Sequence, residues 1–282
     1  MSIAVTAGVA RSAISRSPTL RSAVKSRRGQ WLIQTVRGAR TVGDPWAFAT
    51  AQLKPNSVRQ HQLRGSGLTT TLRHCTRDVD ILNEIFSVDC YAPPAEVAQR
   101  LDALESPAIM DLGANIGLFG LYALGRWRGA RVVGFEPDPA NADLLDRTIA
   151  ANGLAEQWRV VRAACSNQEG IARFSAGHLS ESKITEGGLG STLEVPMVDA
   201  FDACRDAHLL KIDIEGAEWP ILTDPRLSQL SAFAIVLEWH LLESPEPDAA
   251  ALAARLLRAA GFAHITGHES ESGGNGTLWA WR

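Results

Sequence analysis

The sequence lacks several things, and each absence closes off a class of protein. No uninterrupted apolar run approaches the ~20 residues that cross a bilayer, so no transmembrane segment is expected. There are four cysteines, Cys75, Cys90, Cys165 and Cys204, and no C-x-x-C pair among them. Thiols so widely spaced suit neither a structural zinc site nor a disulfide framework. They point to a reducing, cytoplasmic setting. Residues 1–43 contain no Asp or Glu, yet eight Lys or Arg. The whole chain has 28 Lys and Arg, so the rest sets 20 basic residues against 31 acidic ones. An acidic body is not a nucleic-acid footprint, and no such partner is expected. No internal repeat is visible.

What is present is a 282-residue chain with 45% hydrophobic content, enough for one large domain. Residues 1–43 are Ser- and Arg-rich and low in aromatics. That composition suits a transit peptide or a basic arm touching anionic partners, and a disordered extension is expected. Residues 44–106 read as a helical lead-in or lid. In "TTTLRHCTRDVDILNEIF", Asp78 stands where a helix cap belongs, with Ile81, Leu82, Ile85 and Phe86 on one face. Pro93 and Pro94 stop that element before a short helix resumes. Tyr91, just before them, suits a lid or plain packing.

From residue 107 to 282 the pattern changes. "AIMDLG", "RVVGFE", "WRVVRAAC", "HLLKIDI" and "FAIVLEWH" are short apolar runs. Helical stretches at 116–127, 139–152, 216–223 and 247–260 follow most of them. Apolar strands alternating with helices predict an α/β fold with a parallel sheet covered on both faces. "SAGHLSESKITEGGLG" forms a Gly/Ser-rich loop whose His178, Ser182 and Lys183 are candidate contacts for sugar hydroxyls or phosphate. "FAHITGH" and "GTLWAWR" read as an antiparallel pair around a flexible loop.

"IMDLGANIGLF" ends a strand and opens a helix, with Gly113 and Gly117 allowing a tight turn and a close ligand. Asn115 suits either a ligand hydrogen bond or an unusual turn conformation. Asp111 precedes the turn, where a carboxylate meets a cation. About twenty residues on, Glu136 ends the next strand, where an acid accepts from both hydroxyls of a ribose. Pro137 and Asp138 follow at the adenine border, with Asp138 also placed as a helix cap. Cys165, Ser166 and Asn167, at the end of the third strand, suit either the adenine edge of a cofactor or a plain turn. Two cofactors remain. A dinucleotide needs its pyrophosphate at a glycine turn, and Asp111 would repel it. S-adenosylmethionine carries no phosphate but two positive centres, which makes Asp111 useful.

"LLKIDIEGAEW" gathers Asp213, Glu215 and Glu218 after an apolar strand. In an open α/β sheet, ligands sit beyond the carboxyl ends of the strands. Glu238 and His240, at i and i+2 on the following strand, point to one side and would meet Asp213 there. His240, with an ordinary pKa near 6.5, is the candidate base for a hydroxyl, helped by Asp213 or Glu238. The same three side chains offer O, O and N ligands to a divalent ion; the base is the first assignment. Lys211 pairs with Asp213, Glu215 caps the next helix, and Glu218 faces solvent. Trp239 flanks the proposed base.

The order "IMDLGANIGLF", "VVGFEPDP", "LLKIDIEGAEWPIL", "IVLEWH" resembles the FkbM-type methyltransferases, which are class I S-adenosylmethionine-dependent enzymes. The similarity extends back to "TRDVDILNEIFSVDCY" and covers roughly residues 68–282. It implies a Rossmann-like, seven-stranded, mostly parallel sheet with an antiparallel last strand. It also implies O-methylation of a hydroxyl on a sugar, glycolipid or natural product.

Overall fold

The computed structural model describes residues 26–175, 192–270 and 274–282. The described part opens with helix α1 (Arg27–Thr41) and α2 (Pro45–Ala51). A hairpin follows, β1 (Val58–Gln62) with β2 (Thr69–Arg73), then α3 (Arg77–Asn83) and a π-helical turn at Glu84–Val88. After α4 (Ala95–Asp102) come β3 (Ala108–Leu112), α5 (Leu118–Arg126), β4 (Arg131–Phe135), α6 (Pro139–Asn152) and β5 (Trp158–Val161). A side sheet contains β6 (Ala164–Ser166), β7 (Gly170–Ser175) and β8 (Thr192–Asp199). After α7 (Ala200–Ala203) the main sheet resumes with β9 (Leu209–Ile212), followed by α8 (Glu218–Thr223) and β10 (Ala234–His240). The chain closes with α9 (Ala249–Ala259), β11 (His264–Glu269) and β12 (Asn275–Trp281).

The main sheet has seven strands in the order β11-β12-β10-β9-β3-β4-β5. Pairs β3–β4, β4–β5, β3–β9 and β9–β10 are parallel, while β12 runs antiparallel to both β10 and β11. This is the expected α/β sheet with its antiparallel last strand. The apolar run 158–165 divides in two, because β5 stays in the main sheet while β6 leaves for the side sheet.

Side chains alternate across each strand, and the alternation sorts the core. Ile109, Leu209, Ala234 and Val236 face one layer with Leu82, Leu121, Leu145 and Trp158. Leu112, Leu210, Ile212, Ile235, Leu237 and Trp239 face the other with Trp219, Leu252 and Phe262. By the same alternation Asp111, Lys211, Glu238 and His240 fall on the first face. Short apolar strands thus carry a polar stripe toward the lead-in segment.

Two local readings change. Residues 27–41 form a helix where a disordered extension was expected. Ser26 caps it by accepting from the Gly29 amide, Asn83 donates to Gln34, and Val42 enters the core. Thr76, not Asp78, caps α3. Asp78 is instead enclosed and takes a forked pair of contacts from Arg73 at 2.8 and 2.9 Å. His178, Ser182 and Lys183 lie outside the described residues.

Candidate functional site

The turn after β3 sets the geometry. Gly113 has φ +80°, and a Cβ there would stand 1.8 Å from the Asp213 carbonyl oxygen. Gly117 has φ +89°, and its Cβ would strike Leu145 and Trp158. Both glycines therefore serve close packing inside the protein as well as the turn. Asn115 takes the left-handed conformation at φ 51°, its side chain accepting from the Ile116 amide. Its own amide donates to Glu136 at 2.7 Å. Glu136 also accepts from the Asp138 amide at 2.8 Å. Burial raises the Glu136 pKa to about 7, opposed by those amide bonds. Asp138 caps α6. Pro137 is half-buried beside them.

Asp111 has a different partner from the one expected. It is fully enclosed, and Lys211, its register partner on β9, reaches it at 3.1 Å. Lys211 also contacts Asp213 at 3.3 Å and donates to the Gly113 carbonyl at 2.8 Å. Burial works against the ammonium charge, but Asp111 and Asp213 outweigh it and hold Lys211 above the ordinary lysine range. Asp111 thus supports the turn from beneath and does not line the cavity.

That cavity lies between the turn and the lead-in. Gly113, Ala114, Asn115 and Ile116 form its floor, and Ile81, Ile85, Tyr91 and Phe119 its apolar wall. Glu84, Asp213, Glu215 and Glu238 face it, against Arg77 and Lys211. Cys165 and Ser166, on β6, do not line this cavity. Burial raises the Cys165 thiol pKa, and Asp111 and Glu136 stand near enough for their charges to add to it. Cys165 is buried in the second core layer and Ser166 contacts Asn167.

Asp213, Glu238 and His240 do converge. Each offers a donor atom within 4.8 Å of the other two. Asn275 donates to one Glu238 oxygen at 2.8 Å, and Tyr91 stands 3.3 Å from the other. The Tyr91 hydroxyl is also 3.4 Å from Asp213. Burial first, and then the Asp213 charge, raise Glu238 to about 7. Burial disfavours a charged His240, but the Glu218 hydrogen bond and the charges of Glu218, Asp213 and Glu215 lift it to about 9. At neutral pH this imidazole holds its proton, contrary to the neutral base expected from its ordinary pKa.

Glu218 also departs from expectation. It is fully buried rather than solvent-facing. It accepts from the Ile214 and Gly216 amides and contacts His240 Nδ1 at 3.1 Å. Glu215, at φ 55°, lies 3.4 Å from His240 Nε2 instead of capping α8, whose cap residue is Ala217. Trp239 points into the opposite layer. Sequence reasoning missed Arg77, Glu84 and Cys90 in the cavity wall. The one available signal was the apolar stripe of Ile81 and Ile85 running into Tyr91.

Comparison with known proteins places these features in company. The family model for the methyltransferase FkbM domain matches residues 111–263. The methyltransferase sdnD of Sordaria araneosa is 34% identical over 199 residues, covering 57% of this chain and 74% of that protein. Among solved structures, a SAM-dependent methyltransferase from Agrobacterium tumefaciens aligns with a TM-score of 0.48 at 12% identity, covering 80% of this chain and 70% of the other. Precorrin-6y C5,15-methyltransferase from Geobacter metallireducens aligns with a TM-score of 0.40 at 13% identity, over 67% and 87%.

Proposed function

The chain belongs to the FkbM methyltransferase family, and from that premise we propose that it methylates a hydroxyl oxygen of a small or glycosylated acceptor, using S-adenosylmethionine. The observation that carries the reading is the convergence of Asp213 and Glu238 at the ends of adjacent parallel strands, beside the Gly113–Ile116 turn.

The residues present fit this cofactor. The turn lines the cavity. Glu136 does not line it but holds the Asn115 amide of that turn and the Asp138 amide, and in this reading its carboxylate meets the ribose once the cofactor is bound. The cavity wall sets four carboxylates against two cations, which favours a positive ligand without phosphate. A pyrophosphate would meet the wrong sign of charge, and this separates the reading from a nicotinamide oxidoreductase. The cavity holds about 70 Å³, well below the ~300 Å³ at the low end of small-molecule sites. Uptake therefore requires the Ile81–Tyr91 wall to move outward.

When bound, S-adenosylmethionine supplies an electrophilic methyl group on a sulfonium. The chain's task is to hold the acceptor oxygen in line and remove its proton. Positioning supplies up to ~7–11 kcal/mol of such a barrier, and a poised base a further ~100–10,000-fold. Glu238 is the base in this reading. Asn275 fixes one of its oxygens, and the other faces the cavity beside Tyr91. A carboxylate near pH 7 is matched to the operating pH. His240 becomes the partner that offsets the acidic cluster, its Nδ1–H held by Glu218.

A second reading keeps the same reaction but places a divalent ion on Asp213, Glu238 and His240. The Glu218–His240 contact favours it, because ligating histidines usually donate their other ring nitrogen to a carboxylate. The test uses methyl-labelled S-adenosylmethionine with a panel of sugar and polyketide alcohols, with and without EDTA. Label in an alkali-stable ether, lost in Glu238→Gln and unaffected by EDTA, is the expected result. Label on nitrogen or carbon sinks the hydroxyl assignment. Activity removed by EDTA and restored by Mg²⁺ transfers the cluster to metal.

A further inference from the structure

On the side of the lead-in away from the main sheet, α1 and α2 leave an unusual surface. Residues 26–64 contain seven Lys or Arg and one acid, Asp44. Along α1, Leu32 and Val36 are one helical turn apart and are 56% and 42% exposed. Trp46, at the start of α2, is 81% exposed. Val36, Ala39, Pro45, Trp46 and Ala49 line a hollow of about 560 Å³ whose polar members are Arg40 and Arg64. Those two arginines also line a neighbouring cleft of about 710 Å³, together with Arg37 and Arg126. Asp89 is the one carboxylate lining that cleft, and Tyr122 donates to it.

Arg64 Nε donates to the Val42 carbonyl at 2.6 Å and Arg126 lies over the Trp127 ring. Four arginines against one carboxylate still leave an excess of positive charge around the cleft, next to exposed indole and aliphatic side chains. Both have the same complement. We infer that this face docks peripherally on an anionic phospholipid surface, with Leu32, Val36 and Trp46 at the acyl boundary and Arg37, Arg40, Arg64 and Arg126 on headgroup phosphates. Tryptophan is suited to that depth because its ring is apolar and its N–H polar. Arginine reaches phosphate while its stem lies along apolar surface. Neither feature alone anchors strongly, and stable attachment usually combines two such signals. The N-terminal residues 1–25 are an unsuitable occupant, because they carry Arg11, Arg16, Arg21 and Lys25 and no acid. Nucleic acid would use the arginines and leave Leu32, Val36 and Trp46 in water. The site stays apart from the cofactor cavity. Pairs of neighbouring residues, Ile85 and Phe86, Phe119 and Tyr122, face the two hollows from shared elements.

The inference does not depend on the methyl-transfer reading, and its test is separate. The full chain is sedimented with vesicles of phosphatidylcholine alone and with added phosphatidylglycerol, at low and raised salt. Binding to the anionic vesicles only, weakened by salt, is expected. Arg37→Glu/Arg40→Glu should lower partitioning by about 30-fold or more, taking roughly 1 kcal/mol for each arginine near the surface. Trp46→Ala should lower it several-fold, and neither variant should change S-adenosylmethionine binding by calorimetry. Equal binding to neutral vesicles, or none to anionic ones, overturns the inference. So does tighter binding to duplex DNA or RNA, or a concentration-dependent dimer abolished by the same substitutions.

Discussion

Replacing Lys211 with methionine tests the support beneath the site, and needs no acceptor. Methionine keeps the length of the side chain and removes its charge. Asp111 is then left fully enclosed, since no other donor among the described residues reaches either of its oxygens. The Gly113 carbonyl loses the 2.8 Å contact from Nζ. Stranding one partner of a buried ion pair costs about 3–5 kcal/mol, and an orphaned carbonyl about 1–3 kcal/mol. Against the ~5–15 kcal/mol typical of a folded domain, Lys211→Met should sit near the edge of folding. Urea unfolding followed by tryptophan fluorescence measures this. The pH dependence carries the mechanism. Burial pushes the Asp111 carboxyl up, and without Lys211 nothing nearby counters it. The folded state would then hold a proton that the unfolded chain releases above about pH 4. Stability of the variant should therefore fall as pH rises from 4 to 7. Asp111→Asn/Lys211→Met should recover most of the loss. A single substitution costing under ~1 kcal/mol, or a double variant no better than the single, would refute the pairing.

Three further outcomes follow from the geometry. If Glu238 is the base with a pKa of about 7, its ionised fraction rises from about a tenth at pH 6 to about nine tenths at pH 8, and kcat/KM should rise about tenfold over that range; a flat profile removes it from that role. Gly113→Ala meets both a positive φ and the Asp213 carbonyl at 1.8 Å, so it should lower stability by at least ~1–2 kcal/mol; unchanged stability in thermal melts would show that the turn relaxes freely. His61 and His74 touch at 2.9 Å inside the lead-in, and burial holds both below the ordinary value, His74 at about 4. The unfolded chain takes up those protons first, so stability is intact above pH 6.5 and falls toward pH 5 by on the order of 1–2 kcal/mol. His74→Phe should flatten that acid limb in pH-dependent melts, and an unaltered limb counts against the histidine pair.

Much of the sheet was legible because its signal is local. The runs ending in Asp111, Glu136, Asp213 and His240 are short, apolar and bounded by polar residues, and Asp138-Pro139 opens a helix with a recognised cap. The convergence of Asp213, Glu238 and His240 also followed from the rule that strand ends meet at one edge. What escaped depends on which strands become neighbours. Asp111 and Lys211 are a hundred residues apart and meet only because β3 lies beside β9. Tyr91 reaches Glu238 across 147 positions. Glu218 looked solvent-facing because an acid in a first helical turn normally is. Here it folds back on the Ile214 and Gly216 amides and holds His240. Helix α1 escaped because Gly29 and Gly38 weaken its local propensity. Gly38 lies where a Cβ would meet the Phe48 ring at 2.4 Å, so packing decides.

The central claim is that the turn at Gly113–Ile116 and the carboxylate of Glu136 receive a positively charged nucleoside that bears no phosphate. Isothermal calorimetry of the purified chain with S-adenosylmethionine, NAD and each against Glu136→Gln tests it directly. The account predicts saturable heat with S-adenosylmethionine, none with NAD, and a loss of about tenfold or more in the variant, as expected for a hydrogen bond to a charged group. Tighter binding of NAD, or equal affinity for S-adenosylmethionine in the two proteins, would contradict it.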